Sequence, residues 1–108
     1  MNKETRVFKI DDIRILKKGV YPKVVNYTAS WCGPCKTISP EIDKLSIKFK
    51  GIHFFKVDID EHREHAEEMG ISSVPTFMFY KDILSEPIIV KGANLDKIKK
   101  VLVDLKND

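Results

Sequence analysis

The chain has 108 residues, 43% of them hydrophobic and 32% charged, with 19 Lys and Arg against 16 Asp and Glu for a net charge of +3. That length is expected to form one compact domain over 1–108, with a single core. The dispersed charge excludes a nucleic-acid footprint, no apolar run approaches a membrane span, and the charged opening Met1-Asn2-Lys3-Glu4-Thr5-Arg6 is not followed by the apolar segment of a secretory leader.

Val7-Phe8-Lys9-Ile10 alternates weakly and predicts a short strand. Asp11-Asp12 then offers a cap for a helix through Ile13, Ile15 and Leu16 to Lys17-Lys18, which Gly19 ends. Tyr21-Pro22 launches a second strand at Val24-Val25-Asn26-Tyr27-Thr28, rich in β-branched and aromatic residues. Ile38, Ile42, Leu45 and Phe49 recur at helical steps, so a helix follows, bent at Pro40 and closed by Gly51. Ile52 to Ile59 is apolar on both sides near its middle, as a central strand is. Asp60 to Met69 predicts a short charged helix stopped by Gly70, and Thr76-Phe77-Met78-Phe79-Tyr80 a fourth strand. Pro87, which cannot donate to a ladder, suits Ile88-Ile89-Val90 to a sheet edge. Asn94 caps a last helix whose apolar stripe is Leu95, Ile98, Val101, Leu102 and Leu105. The order β-α-β-α-β-α-β-β-α predicts an α/β fold with helices on both faces of one sheet.

The only two cysteines stand in Trp31-Cys32-Gly33-Pro34-Cys35-Lys36, at the junction of the second strand with its helix. Two cysteines are too few for the framework of a small secreted scaffold, so they point to redox or metal chemistry. One Cys-x-x-Cys gives two ligands where structural zinc needs four, and no metal site is expected. His62 and His65, three apart on a charged helix, gain no third ligand and read as solvated surface. At a helix N-terminus, unpaired N–H groups and the positive dipole end favour a thiolate at Cys32. Cys35 follows about one turn later, close enough for a small disulfide ring, and Pro34 is tolerated in the first turn because its missing N–H had no partner there.

Four features in order make the chain resemble the thioredoxin family over nearly its whole length: Trp31-Cys32-Gly33-Pro34-Cys35-Lys36, Lys56-Val57-Asp58-Ile59-Asp60, Val74-Pro75-Thr76, and Gly92-Ala93. The resemblance implies a central mixed five-stranded sheet, order 1-3-2-4-5, flanked by four helices, with strands four and five antiparallel to their neighbours. It implies a protein-disulfide reductase in which Cys32 is the attacking thiolate, nearer solvent, and Cys35, deeper by a turn, resolves the mixed disulfide. Pro75 would follow a cis peptide bond. Val74 would offer backbone bonds to an extended substrate, on an apolar docking face with Trp31, Gly33, Pro34, Gly92 and Ala93. The implied partners are disulfide-bearing proteins and an NADPH-dependent thioredoxin reductase or equivalent donor. No bound cofactor is implied beyond the reversible Cys32–Cys35 disulfide, and the expected state is a cytoplasmic monomer.

Departures from the family pattern are specific. Asn26 replaces a usual buried Asp, Thr28 a common Trp, and Lys91 stands where an apolar residue often precedes the Gly. The turn from Lys81 to Glu86 is longer and lacks glycine. A buried carboxylate can exchange protons near neutrality and assist the resolving thiol, which Asn cannot. Asn26 therefore predicts altered resolution and a more stable fold, with Lys56 beside it in the tuning set; a satisfied core amide without kinetic effect is the competing reading. Two other functions stand beside the reductase: a binding module whose docking face survives loss of both thiols, and an oxidase or isomerase, which Gly33-Pro34 resembles less.

Overall fold

The structure, a computed structural model, describes residues 4–106. The opening Met1-Asn2-Lys3 of the charged N-terminal stretch lies outside the described residues, as do Asn107 and Asp108. Five strands form one sheet in the order β1-β3-β2-β4-β5, with β1 at Val7–Lys9, β2 at Lys23–Thr28, β3 at His53–Asp58, β4 at Thr76–Tyr80 and β5 at Ile88–Lys91. β3 pairs parallel with β1 and β2, whereas β4 runs antiparallel to both β2 and β5. Pro87 thus precedes a strand paired on one side only, as its missing donor requires.

Among the described residues three α-helices, not the expected four, accompany the sheet: α1 (Gly33–Lys48), α2 (Arg63–Glu68) and α3 (Leu95–Lys106). The first expected helix is a 3-10 turn over Ile13–Lys17. Its ends explain the shortening. The Asp12 carboxylate accepts from the Arg14 N–H and Lys18 N–H bonds back to Ile15 O at 3.3 Å, both tight local closures, and the chain then turns extended at Lys18. α1 runs through Pro40 and ends at Phe49, whose N–H reaches Leu45 O, before Gly51 is met. α2 begins later than Asp60 because Asp58 Oδ1 takes the Asp60 N–H at 2.8 Å and holds a turn there. Gly70, at φ +70°, ends it in the left-handed conformation that glycine adopts without strain.

Alternation along β2 sorts the core. Val24 faces α1 and α3, where Ile38, Ile42, Leu45, Ile98, Leu102 and Leu105 pack with it. Val25 and Tyr27 face the other layer, with Ile10, Val57 and Met78 and flanking residues of the 3-10 turn and α2. Asn94 Oδ1 caps α3 by accepting the Lys97 N–H, so the expected stripe lies on the sheet. Each fully buried aliphatic of that stripe, such as Leu102, contributes about 1.5–3 kcal/mol. No helix among the described residues is long and apolar enough to cross a membrane.

Candidate active site

β2 runs from the sheet centre through Ala29, Ser30 and Trp31 to Cys32, which is the N-cap of α1. Its sulfur accepts the Cys35 N–H at 3.2 Å, and Pro34 lies in the first turn. An amide of the helix start thus points at the Cys32 sulfur. Cys32 and Cys35 are joined in a disulfide with Cα atoms 5.3 Å apart. The residues are 4% and 5% exposed, so in the oxidised form Cys32 is as covered as Cys35, against the expected difference. Ala29, Ile59 and Val74 pack around the pair and account for the cover.

The Val74–Pro75 bond is cis, as the resemblance implied, and so is Tyr21–Pro22, which the sequence did not signal. Val74 O lies 3.7 Å from Cys32 Sγ. Gly92 donates its N–H to Pro75 O at 2.8 Å and has φ +91°, a conformation that ties the start of the last loop to the cis turn. Ala93 follows it, exposed; Gly33 and Pro34 are exposed as well. Trp31 is 66% exposed, and its indole N–H donates to Asp60 Oδ2 at 2.8 Å. Asp60, read as the start of a helix, thereby lies against Trp31, a contact the sequence reading missed. Its place at the end of the Lys56-to-Asp60 stretch was the available signal.

Behind Cys35 lies a cavity of about 270 Å³. Asn26 and Lys56 are direct cross-strand neighbours and both line it, with Lys9, Lys36, Ser39 and Asp58. Lys9 is engaged by Glu61 at 3.2 Å. Asn26 is 7% exposed, and its Oδ1 has no hydrogen-bond partner among the described residues.

The histidines also differ from expectation. His62 Nε2 lies 3.0 Å from Ile10 O and His65 Nε2 2.9 Å from Tyr27 Oη, both rings half-buried, so they tie α2 to the sheet instead of facing water. Burial pushes the Tyr27 phenol pKa up and that of His65 down. No group of three or more His, Cys, Asp or Glu among the described residues could hold a metal ion.

Residues 10–104 match the family model described as Thioredoxin. This chain belongs to the thioredoxin family. It is 45% identical over 82 residues to Thioredoxin Asp f 29 of Aspergillus fumigatus, covering 70% of this chain and 74% of that one. A thioredoxin H-type of Chlamydomonas reinhardtii is also 45% identical over 82 residues, with 75% and 72% covered. Among solved structures, thioredoxin NaTrxh of Nicotiana alata superposes with a TM-score of 0.87 at 29% identity, covering 96% of each chain. The thioredoxin of Trypanosoma brucei brucei gives 0.86 at 28% identity, covering 100% of this chain and 98% of that one. With the Cys32–Cys35 pair in place at the helix start, the protein is a thiol-disulfide oxidoreductase.

Proposed function

We propose that the chain, as a single domain over 1–108, works as a reductase of protein disulfides. The observation that carries this is the Cys32 sulfur, capped by the Cys35 amide and lying against Val74 O beside the exposed Trp31. The reduced Cys32 thiolate attacks one sulfur of a substrate cystine, breaking its S–S bond and expelling the other sulfur as a thiolate. The Cys35 thiolate then attacks Cys32 Sγ, re-forming the internal disulfide and releasing the second substrate thiolate. Two electrons pass to the substrate, and two protons complete its thiols.

The amide at the helix start favours the Cys32 thiolate, and Gly33 and Pro34 complete the turn that aims it. Val74 supplies backbone bonds to an extended substrate, while Trp31, Gly92 and Ala93 extend the apolar docking face. Asn26 puts no carboxylate behind Cys35, so its proton leaves by way of the cavity, where Lys56 favours the thiolate by charge. Turnover needs a thioredoxin reductase or equivalent donor, no bound cofactor, and a reducing compartment, which we take to be the cytoplasm. The acting species is the monomer.

An insulin-type disulfide reduction assay with dithiothreitol as donor tests the reading. Wild type is expected to turn over, and Cys32→Ser and Cys35→Ser to be inactive, with Cys35→Ser alone accumulating a mixed disulfide on Cys32. An inert wild type with an intact dithiol would move the chain to the binding-module reading.

A further inference from the structure

On the face of the sheet away from Cys35, the 3-10 turn covers less than a full helix would, and a cavity of about 300 Å³ remains between it, α2 and β2. Ile13 and Leu16, three apart and so on one side of a 3-10 turn, line it together. At its wall is Lys23, 4% exposed. One of its N–H groups donates to Leu16 O at 2.7 Å, and the ammonium stands 4.8 Å from the Tyr21 ring centroid and 5.2 Å from that of Tyr80. A lysine ammonium carries three donors. A carbonyl and two ring faces stabilise the cation, yet none carries a full negative charge. Lys23 is in none of the ion pairs among the described residues, which join Lys9 to Glu61, Arg14 to Asp12 and Lys44 to Glu41. Buried charges in proteins are as a rule paired. Burial accordingly lowers the Lys23 pKa from its ordinary 10.5.

We propose that this cavity binds a small organic monoanion with an apolar body, its carboxylate received by the Lys23 ammonium and its body held by Leu16, Met69 and the tyrosine rings. The volume lies at the small end of ligand pockets, which favours a compact molecule. Lys17 and Glu68 also line the cavity and offset one another in charge, which leaves Lys23 to receive a single anionic group. Alternation along β2 puts Lys23, Val25 and Tyr27 on this face and Asn26 on the other, so the site stands apart from the dithiol and is independent of the reductase reading.

The test is a titration of the oxidised full chain with benzoate, followed by amide NMR shifts and calorimetry, alongside its neutral counterpart benzyl alcohol. Benzoate should give saturable shifts centred on Leu16, Lys23, Tyr27 and Met69. A charge-assisted bond to Lys23 should make it bind about tenfold more tightly than benzyl alcohol. Lys23→Met, which keeps the chain's bulk, should erase that preference. Should Lys23→Met fail to fold, Ile13→Trp decides, because it fills the cavity and leaves Lys23 in place: it should abolish benzoate binding while disulfide reduction continues. Absence of saturable shifts with benzoate, equal binding of the two compounds to wild type, or benzoate binding unchanged in Ile13→Trp overturns the proposal and leaves the lysine cage purely structural.

Discussion

Asn26 and Lys56 stand opposite one another on β2 and β3, both lining the cavity behind Cys35, and the Asn26 carboxamide oxygen has no hydrogen-bond partner among the described residues. An uncharged acceptor thus occupies the position from which a carboxylate would both take a proton and oppose the Cys35 thiolate.

Asn26→Asp should add an ionisation to the pH profile of disulfide reduction that wild type lacks. Desolvation raises the new carboxyl's pKa above its unfolded value near 3.9. Its contribution to stability is then fullest below that unfolded value and is lost as pH rises through the folded one. At pH 8 the variant should be about 1–3 kcal/mol less stable than wild type in urea denaturation, since a carboxylate costs more to bury than an amide. Equal stability at pH 8 with identical pH–rate profiles would show that the site is indifferent to this side chain.

Gly92→Ala tests the link from the last loop to the cis turn. A Cβ there meets nothing within 4 Å, so the cost is that of placing alanine at φ +91° alone. That is about 1 kcal/mol of stability. Because the Gly92 N–H holds Pro75 O, the KM for a protein disulfide should rise while that for a small disulfide changes little.

Trp31 and Asp60 form a pair at the rim. Removing the carboxylate with Asp60→Ala frees the exposed indole from a bond worth about 1 kcal/mol, and should raise KM for insulin about fivefold with kcat nearly unchanged. Trp31→Ala should raise it further. A fall in kcat alone would mean that Asp60 acts on the thiols and not on docking.

His65 should make stability depend on pH. Burial, ahead of the charges around it, holds its pKa below the ordinary 6.5. Below pH 6.5 the unfolded chain therefore binds a proton that the folded one resists, and stability falls as pH drops from that value through the folded pKa. Denaturant midpoints at pH 7.5 and 5.5 should differ in wild type and differ less in His65→Gln.

Much of this was legible in the chain. Strand β4 was read to the residue, the stripe on α3 from its spacing, and the dithiol from Cys-Gly-Pro-Cys at a strand-to-helix junction, because each signal is local. The failures have two causes, one local and the other in tertiary contact. Ile13-Arg14-Ile15-Leu16-Lys17 has helical composition, but Asp12 closes on Arg14 and leaves a 3-10 turn. His62 and His65 sit among charged residues, yet their partners are Ile10 and Tyr27, 52 and 38 positions away. Asp60 meets Trp31, 29 residues earlier. No window of sequence contains such pairs.

The alternation of β2 has a consequence for how this protein can change. Asn26 and Thr28 look toward the dithiol, while Lys23, Val25 and Tyr27 look toward the lysine cage, and the backbone between them is locked on both sides by β3 and β4. One strand therefore carries two separately adjustable sets of positions. Drift or design at the odd-numbered residues can remake the far cavity while the redox chemistry is conserved, and the even-numbered residues can be varied to retune that chemistry without rebuilding the opposite layer.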